Sequence, residues 1–125
     1  QTMADFDYKK AREFLETREK DRINRNAFLC KKAAADAERI ITVIRTEFHP
    51  RRIYQWGSLV NTAAFTEISD IDIAVEGITE AAVFFHLLGR VMDMTEFPLD
   101  LVQLEKVEPE FRHEIETNGK LIYEN

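Results

Sequence analysis

The hydrophobic positions change period partway along the chain. Residues Asp5 to Phe48 contain neither glycine nor proline, and their pattern predicts a long helix. In its second half Ala27, Cys30, Ala34, Ala37, Ile41 and Ile44 recur at three-to-four spacing, with Ala33, Ile40 and Phe48 widening the stripe. Such a stripe buries one face of a helix. The first half is weaker: Phe6, Phe14, Leu15 and Ile23 are its main apolar points, and Glu16 to Arg22 is polar all round. That segment is expected to project into solvent or to be held by another subunit. His49-Pro50 ends the helix, because a residue before proline is pushed out of the helical region.

Beyond Pro50 the pattern is short and β-like. Ile53 to Trp56 predicts a strand stopped by Gly57, and Ile71 to Val75 predicts a second, ended by Glu76-Gly77. Thr79 is the expected N-cap of a helix to about Asp93, with Val83, Phe84, Leu87, Leu88 and Val91 on its inner side. Pro98 precedes a third strand, Leu99 to Leu104. Pro109 opens a last helix that Gly119 stops. Leu121 to Tyr123 adds a short edge strand. The order helix, strand, strand, helix, strand, helix predicts an α/β (α+β) layer fold, a small mixed sheet flanked by helices. Its 125 residues are expected to form one domain overall, with 1–50 as a long helical segment and 51–125 as the core.

The strands carry the chemistry. Ser69-Asp70-Ile71-Asp72-Ile73 sets two carboxylates two residues apart in an apolar run. Side chains alternate along a strand, so Asp70 and Asp72 share a face, with Cα atoms roughly 6.5–7 Å apart. Ile71 and Ile73 face the core. Carboxylates that close repel each other, and a divalent cation relieves the repulsion. Hard oxygen ligands suit magnesium, which completes its shell with water and substrate phosphates. Asp100 interrupts the third strand in the same way, and if that strand lies beside the second, three carboxylates converge. The arrangement fits phosphoryl transfer with two ions about 3.5–4 Å apart. Asp70 and Asp72 would hold both ions, and Asp100 would hold the catalytic one and take the proton of the attacking hydroxyl. Gly57-Ser58 would approach the phosphates, glycine through its bare backbone and serine through its hydroxyl and N–H.

These residues, in this order, resemble the DNA polymerase beta-like nucleotidyltransferase superfamily. Asp100-Leu101-Val102 and Ile115-x-x-Asn118-Gly119-x-x-Ile122-Tyr123 resemble its minimal nucleotidyltransferase (MNT) branch. The resemblance covers about Ile53 to Tyr123. It implies a polymerase beta-like fold, here preceded by a long N-terminal helix. It implies transfer of AMP from ATP, with two Mg2+ ions, to a hydroxyl. Asp70, Asp72 and Asp100 would be catalytic and metal-binding, and Gly57, Ser58 and Ser69 would bind the nucleotide. Minimal members are commonly antitoxins that adenylylate a tyrosine of a helical HEPN-domain toxin. A chain of this length is expected to rely on a separate protein for the acceptor, in a homo- or hetero-oligomer. One departure stands out. Many minimal members read Gly-Ser-x-Ala-Arg-Gly where this chain has Gly57-Ser58-Leu59-Val60-Asn61-Thr62. Asn61 replaces the arginine and Thr62 the glycine, and a lost cation weakens contacts to a triphosphate. The alternative is therefore an antitoxin that neutralises its partner by binding alone. A third reading, action on a small molecule or a nucleic-acid end, fits less well.

Charge sharpens this picture. The formal net charge of −6 argues against a general nucleic-acid binder. Lys9 to Lys32 holds nine Lys and Arg against four Asp and Glu, a solvated face or a docking arm for an acidic partner. No apolar run reaches the length of a membrane span. The N-terminal residues carry charge and no apolar segment, and Cys30 has no disulfide partner, so a cytoplasmic protein is expected. His49, His86 and His113 lack metal-ligand spacing. Cys30 reads as a small core residue. Trp56 reads as core rather than as a stacking surface for a base, and Phe65 as core or a lid over the nucleotide.

Overall fold

The computed structural model describes residues 7–61, 65–66 and 69–125. Helix α1 runs Tyr8–Val43, and its first turn is capped by Asp7, whose carboxylate accepts from the Lys10 N–H at 3.0 Å. Thirty-six residues at helical rise give about 54 Å. A wider π turn, Ile44–Phe48, extends it, and His49 in the left-handed region (φ 52°) turns the chain into Pro50.

The remaining elements are β1 (Arg52–Trp56), a 3-10 turn (Gly57–Leu59), β2 (Ile71–Glu76), α2 (Ala81–Val91), a 3-10 turn (Met92–Met94), β3 (Leu99–Gln103), α3 (Pro109–Asn118) and β4 (Lys120–Glu124). They form a four-stranded mixed sheet in the order β3-β2-β1-β4. β1 pairs antiparallel with β2 and β4, while β2 and β3 are parallel. Parallel neighbours need a crossover, and α2 supplies it.

The main core lies between the sheet and the helices α1 and α2. Ile53, Ile71, Ile73 and Val75 are fully buried there against Ala33, Ile40, Ile44, Leu87 and Val91. Phe65 is buried in the same cluster, in edge contact with Phe97, so it is core. The opposite face of the sheet carries a smaller cluster of Tyr54, Ala74, Leu104 and Ile115, covered by α3. The sheet is thus well covered on one side and only partly on the other.

Two local expectations need correction. The buried line of α1 is Ala33, Asp36, Ala37 and Ile40, continuing to Ile44; Ala27 and Ala34 are exposed. The period was legible, but small alanines line several faces and leave the inward one ambiguous. Helix α2 starts one residue later than a Thr79 cap requires: Glu80 is its N-cap, without a side-chain bond. Val83 is exposed, whereas Leu87 and Val91 are buried and Phe84 and Leu88 pack partly on the core. Gly119 closes α3 as expected, with its backbone extended (φ −79°, ψ −177°). A Cβ there would lie 2.3 Å from the Ile115 carbonyl and 2.9 Å from that of Gln55.

The polar first half of α1 is exposed from Glu13 to Arg25, as expected of a segment that projects into solvent or is held by another subunit. Phe14, Leu15 and Ile23 are exposed, and Phe6 lies outside the described residues. Cys30 is partly buried against the core, and the three histidines are exposed.

Candidate active site

The site forms where β2 begins. Asp72 points from the α3 side of β2, because Ile71 and Ile73 are fully buried on the other side. In the parallel pairing of β2 and β3, Asp72 stands directly beside Asp100. The strand order on which the convergence depended is present for Asp72 and Asp100. Asp70, exposed, sits just before β2. Its field reaches both other carboxylates.

The electrostatics follow from that crowding. Burial pushes Asp72 up from 3.8 to about 6, with the charges of Asp100 and Asp70 adding to the effect. Asp100 is raised by burial and by Asp70. Among the described residues, no ion pair or hydrogen bond neutralises any of the three. Clustered acids without a counter-charge are a poor arrangement for a metal-free core and a good one for a hard cation. Among the described residues, no three His, Cys, Asp or Glu side chains could hold an ion by themselves. Carboxylates on one side with the remaining positions left to water and phosphate is how magnesium is usually held. The donor set fits that ion.

Gly57 closes the site from β1. It is left-handed (φ 75°), and a Cβ on it would lie 2.1 Å from Asp72 Oδ2. The glycine is therefore required by the carboxylate as much as by any phosphate. Ser58 is partly buried in the 3-10 turn, whose Gly57 carbonyl accepts from the N–H groups of Val60 and Asn61, each at 3.1 Å. Asn61 is exposed, so the position where the arginine was expected is uncharged. Thr62 lies outside the described residues. Ser69 is buried, and its hydroxyl oxygen accepts from the Thr66 N–H at 3.0 Å. It closes the turn that delivers Asp70.

The fold thus brings together a Gly-Ser turn, an Asp-x-Asp entering one strand, and a third Asp beside it. The polymerase beta nucleotidyltransferase family matches residues 38–125. The chain belongs to that family. Structurally, this nucleotidyltransferase resembles chains of toxin–antitoxin crystal structures. One such structure, with AMP-PNP, matches at a TM-score of 0.60 and 24% identity, over 71% of this chain and 73% of that one. The MntA–HepT complex matches at 0.56 and 22%, over 74% and 73%. A tri-AMPylated Shewanella oneidensis HEPN toxin in complex with its MNT antitoxin matches at 0.57 and 22%, over 74% and 73%. These likenesses establish the fold. No curated protein matches the sequence. No described helix of the nucleotidyltransferase is long and apolar enough to cross a membrane.

Two supports of the site were not legible as such. Asp36, 5% exposed on the inner face of α1, pairs with Arg39 and accepts from the Thr95 hydroxyl at 2.7 Å. Thr95 Oγ1 in turn accepts from the Phe97 N–H at 3.1 Å, which shapes the entry to β3 and hence the position of Asp100. The only sequence signal is a carboxylate on an otherwise apolar line. At the far end of β2, buried Glu76 is ringed by Arg51, Arg52 and Arg112. These three arginines come from β1, its approach and α3, so they anchor β2 to β1 and to α3.

Proposed function

We propose that this chain is a magnesium-dependent nucleotidyltransferase that moves AMP from ATP to a hydroxyl of a protein partner, a tyrosine of a helical HEPN-type toxin, and so acts as an antitoxin. The observation that carries the reading is the pairing of Asp72 with Asp100 on adjacent parallel strands, with Gly57 closed onto Asp72. The toxin–antitoxin assembly of the structural neighbours, one with AMP-PNP and one with an AMPylated HEPN toxin, supports the choice of nucleotide and partner.

The reaction balances simply. The acceptor oxygen attacks the α-phosphorus, the bond to the bridging oxygen of the β-phosphate breaks, and pyrophosphate leaves with the electron pair. Asp100, which stands beside Asp72 on the next strand, takes the acceptor proton. Gly57 and Ser58 hold the phosphates through N–H groups and the serine hydroxyl. Asp70, Asp72 and Asp100 would hold two magnesium ions, whose chemistry there would be to neutralise charge on the phosphates.

The test incubates the purified chain with α-labelled ATP, magnesium and the HEPN-type partner. Label should pass to a partner tyrosine, and Asp72→Asn should abolish transfer. Absence of transfer with any divalent metal overturns the catalytic reading. A second reading, neutralisation by binding alone, is favoured by exposed, uncharged Asn61 beside the Gly-Ser turn. Under it, Asp72→Asn still forms the complex and still protects cells from the partner.

A further inference from the structure

Asp72 has a second neighbour on its own face of the sheet. In the antiparallel pairing of β1 and β2, Trp56 stands directly opposite it, so indole and carboxylate rise side by side. The indole meets Phe111 edge-on, with centroids 5.6 Å apart and planes at 84°. Phe111 lies in the first turn of α3. Four residues on, Ile115 is fully buried, yet Phe111 is 36% exposed. Trp56 is itself only partly buried, packed on the Tyr54–Ile115 cluster. The sheet therefore presents a row on one face: Asp100, Asp72, Trp56, and then Phe111 above it.

The row has direction. Asp100, which takes the acceptor proton in the proposed reaction, stands on the β3 flank of Asp72. Gly57 and Ser58, which hold the phosphates, follow Trp56 directly and stand on the β1 flank. The aromatic pair is on the nucleotide side and away from the acceptor. A partly exposed ring pair beside three uncompensated carboxylates suits a flat, uncharged, π-faced group. A purine or pyrimidine base joined to the phosphates is that kind of group, since every base has a stacking face.

We propose that Trp56 and Phe111 form the nucleoside platform of this enzyme, on which the base of the nucleoside triphosphate stacks. The proposal rests on the nucleotidyl-transfer reading above. Phe111 carries the contact, and Trp56 holds it upright from β1.

The experiment titrates ATP and, separately, inorganic tripolyphosphate onto the purified chain with magnesium, by calorimetry. Phe111→Ala should weaken ATP roughly ten- to one-hundredfold, the range for loss of one aromatic–base stack, and leave tripolyphosphate unchanged. Trp56→Ala should act in the same direction, and Trp56→Phe should restore most of the affinity. In transfer assays the KM for ATP should rise while the KM for the acceptor stays constant. Thermal melts of each variant check folding, and exposed Phe111 makes its alanine variant the safer one. Unchanged ATP affinity overturns the platform, as does equal weakening of both ligands. A rise confined to the acceptor KM also overturns it and reassigns the pair to acceptor docking. If wild-type protein binds neither ligand, the nucleotidyl-transfer reading fails and the platform with it.

Discussion

Asp72 holds a proton more readily than an ordinary aspartate because burial and two neighbouring acids all oppose its charge. That has a definite sign for stability. Its folded value of about 6 lies above the unfolded 3.8, so between those pH values the folded chain binds a proton that the unfolded chain has released. Metal-free stability from this group is therefore greatest below pH 3.8 and is lost as pH rises through about 6. The raised value of Asp100 acts in the same direction. With chelator present, Asp72→Asn should melt higher than wild type at pH 7, by about 1 kcal/mol after screening of a half-exposed group. The difference should vanish near pH 4, and saturating magnesium should reverse its sign by stabilising wild type alone. Gly57→Ala is the second residue-scale prediction. The left-handed backbone costs alanine about 1–2 kcal/mol, and the new methyl displaces the Asp72 carboxylate. Transfer activity should drop at least about tenfold while the chain stays folded, since a small misplacement of a reacting group costs rate steeply. The face of β2 that carries Asp72 was legible from alternation alone. The closeness of Gly57 to Asp72 was not, because it arises between residues far apart in sequence.

At the scale of elements, most boundaries follow from local rules. Pro109 occupies the first turn of α3, where its missing N–H is harmless, and the strands coincide with β-branched and aromatic runs. What local rules left open was orientation. The stripe on α1 had the right period, but Ile40 and Ile41 were both in it, and only Ile40 is fully buried. Ile40→Ala should cost about 2–4 kcal/mol in chemical denaturation, from lost burial and the cavity left behind. Ile41→Ala should cost less than about half as much, because the site is open to solvent and leaves no closed cavity. Equal costs would mean that the helix is rotated. Asp36 explains why periodicity alone misled: a carboxylate occupies one of the inward positions, held by Arg39 and Thr95.

At the scale of the molecule, the site is an assembly of three strands. Gly57 and Ser58 come from the end of β1, Asp70 and Asp72 from the start of β2, and Asp100 from β3, reached through α2. Parts that serve one site do not act additively. The double variant Asp72→Asn with Asp100→Asn should therefore be scarcely slower than the worse single variant in label transfer. Additive losses would place the two acids in separate functions. The sequence by itself determined the kinds of element and their order, and placed three acids on or beside the strands, because alternation, capping residues and turn residues act within a few positions. The projecting, polar first half of α1 was legible for the same reason. The tertiary structure alone decided that β3 lies parallel and next to β2, bringing Asp100 beside Asp72. It also decided that Trp56 faces Asp72, that Phe111 leans on it, and which face of α1 is inward. Those relations depend on long-range pairing and packing, in which the whole chain settles which apolar surfaces are buried together, and no local pattern carries that information.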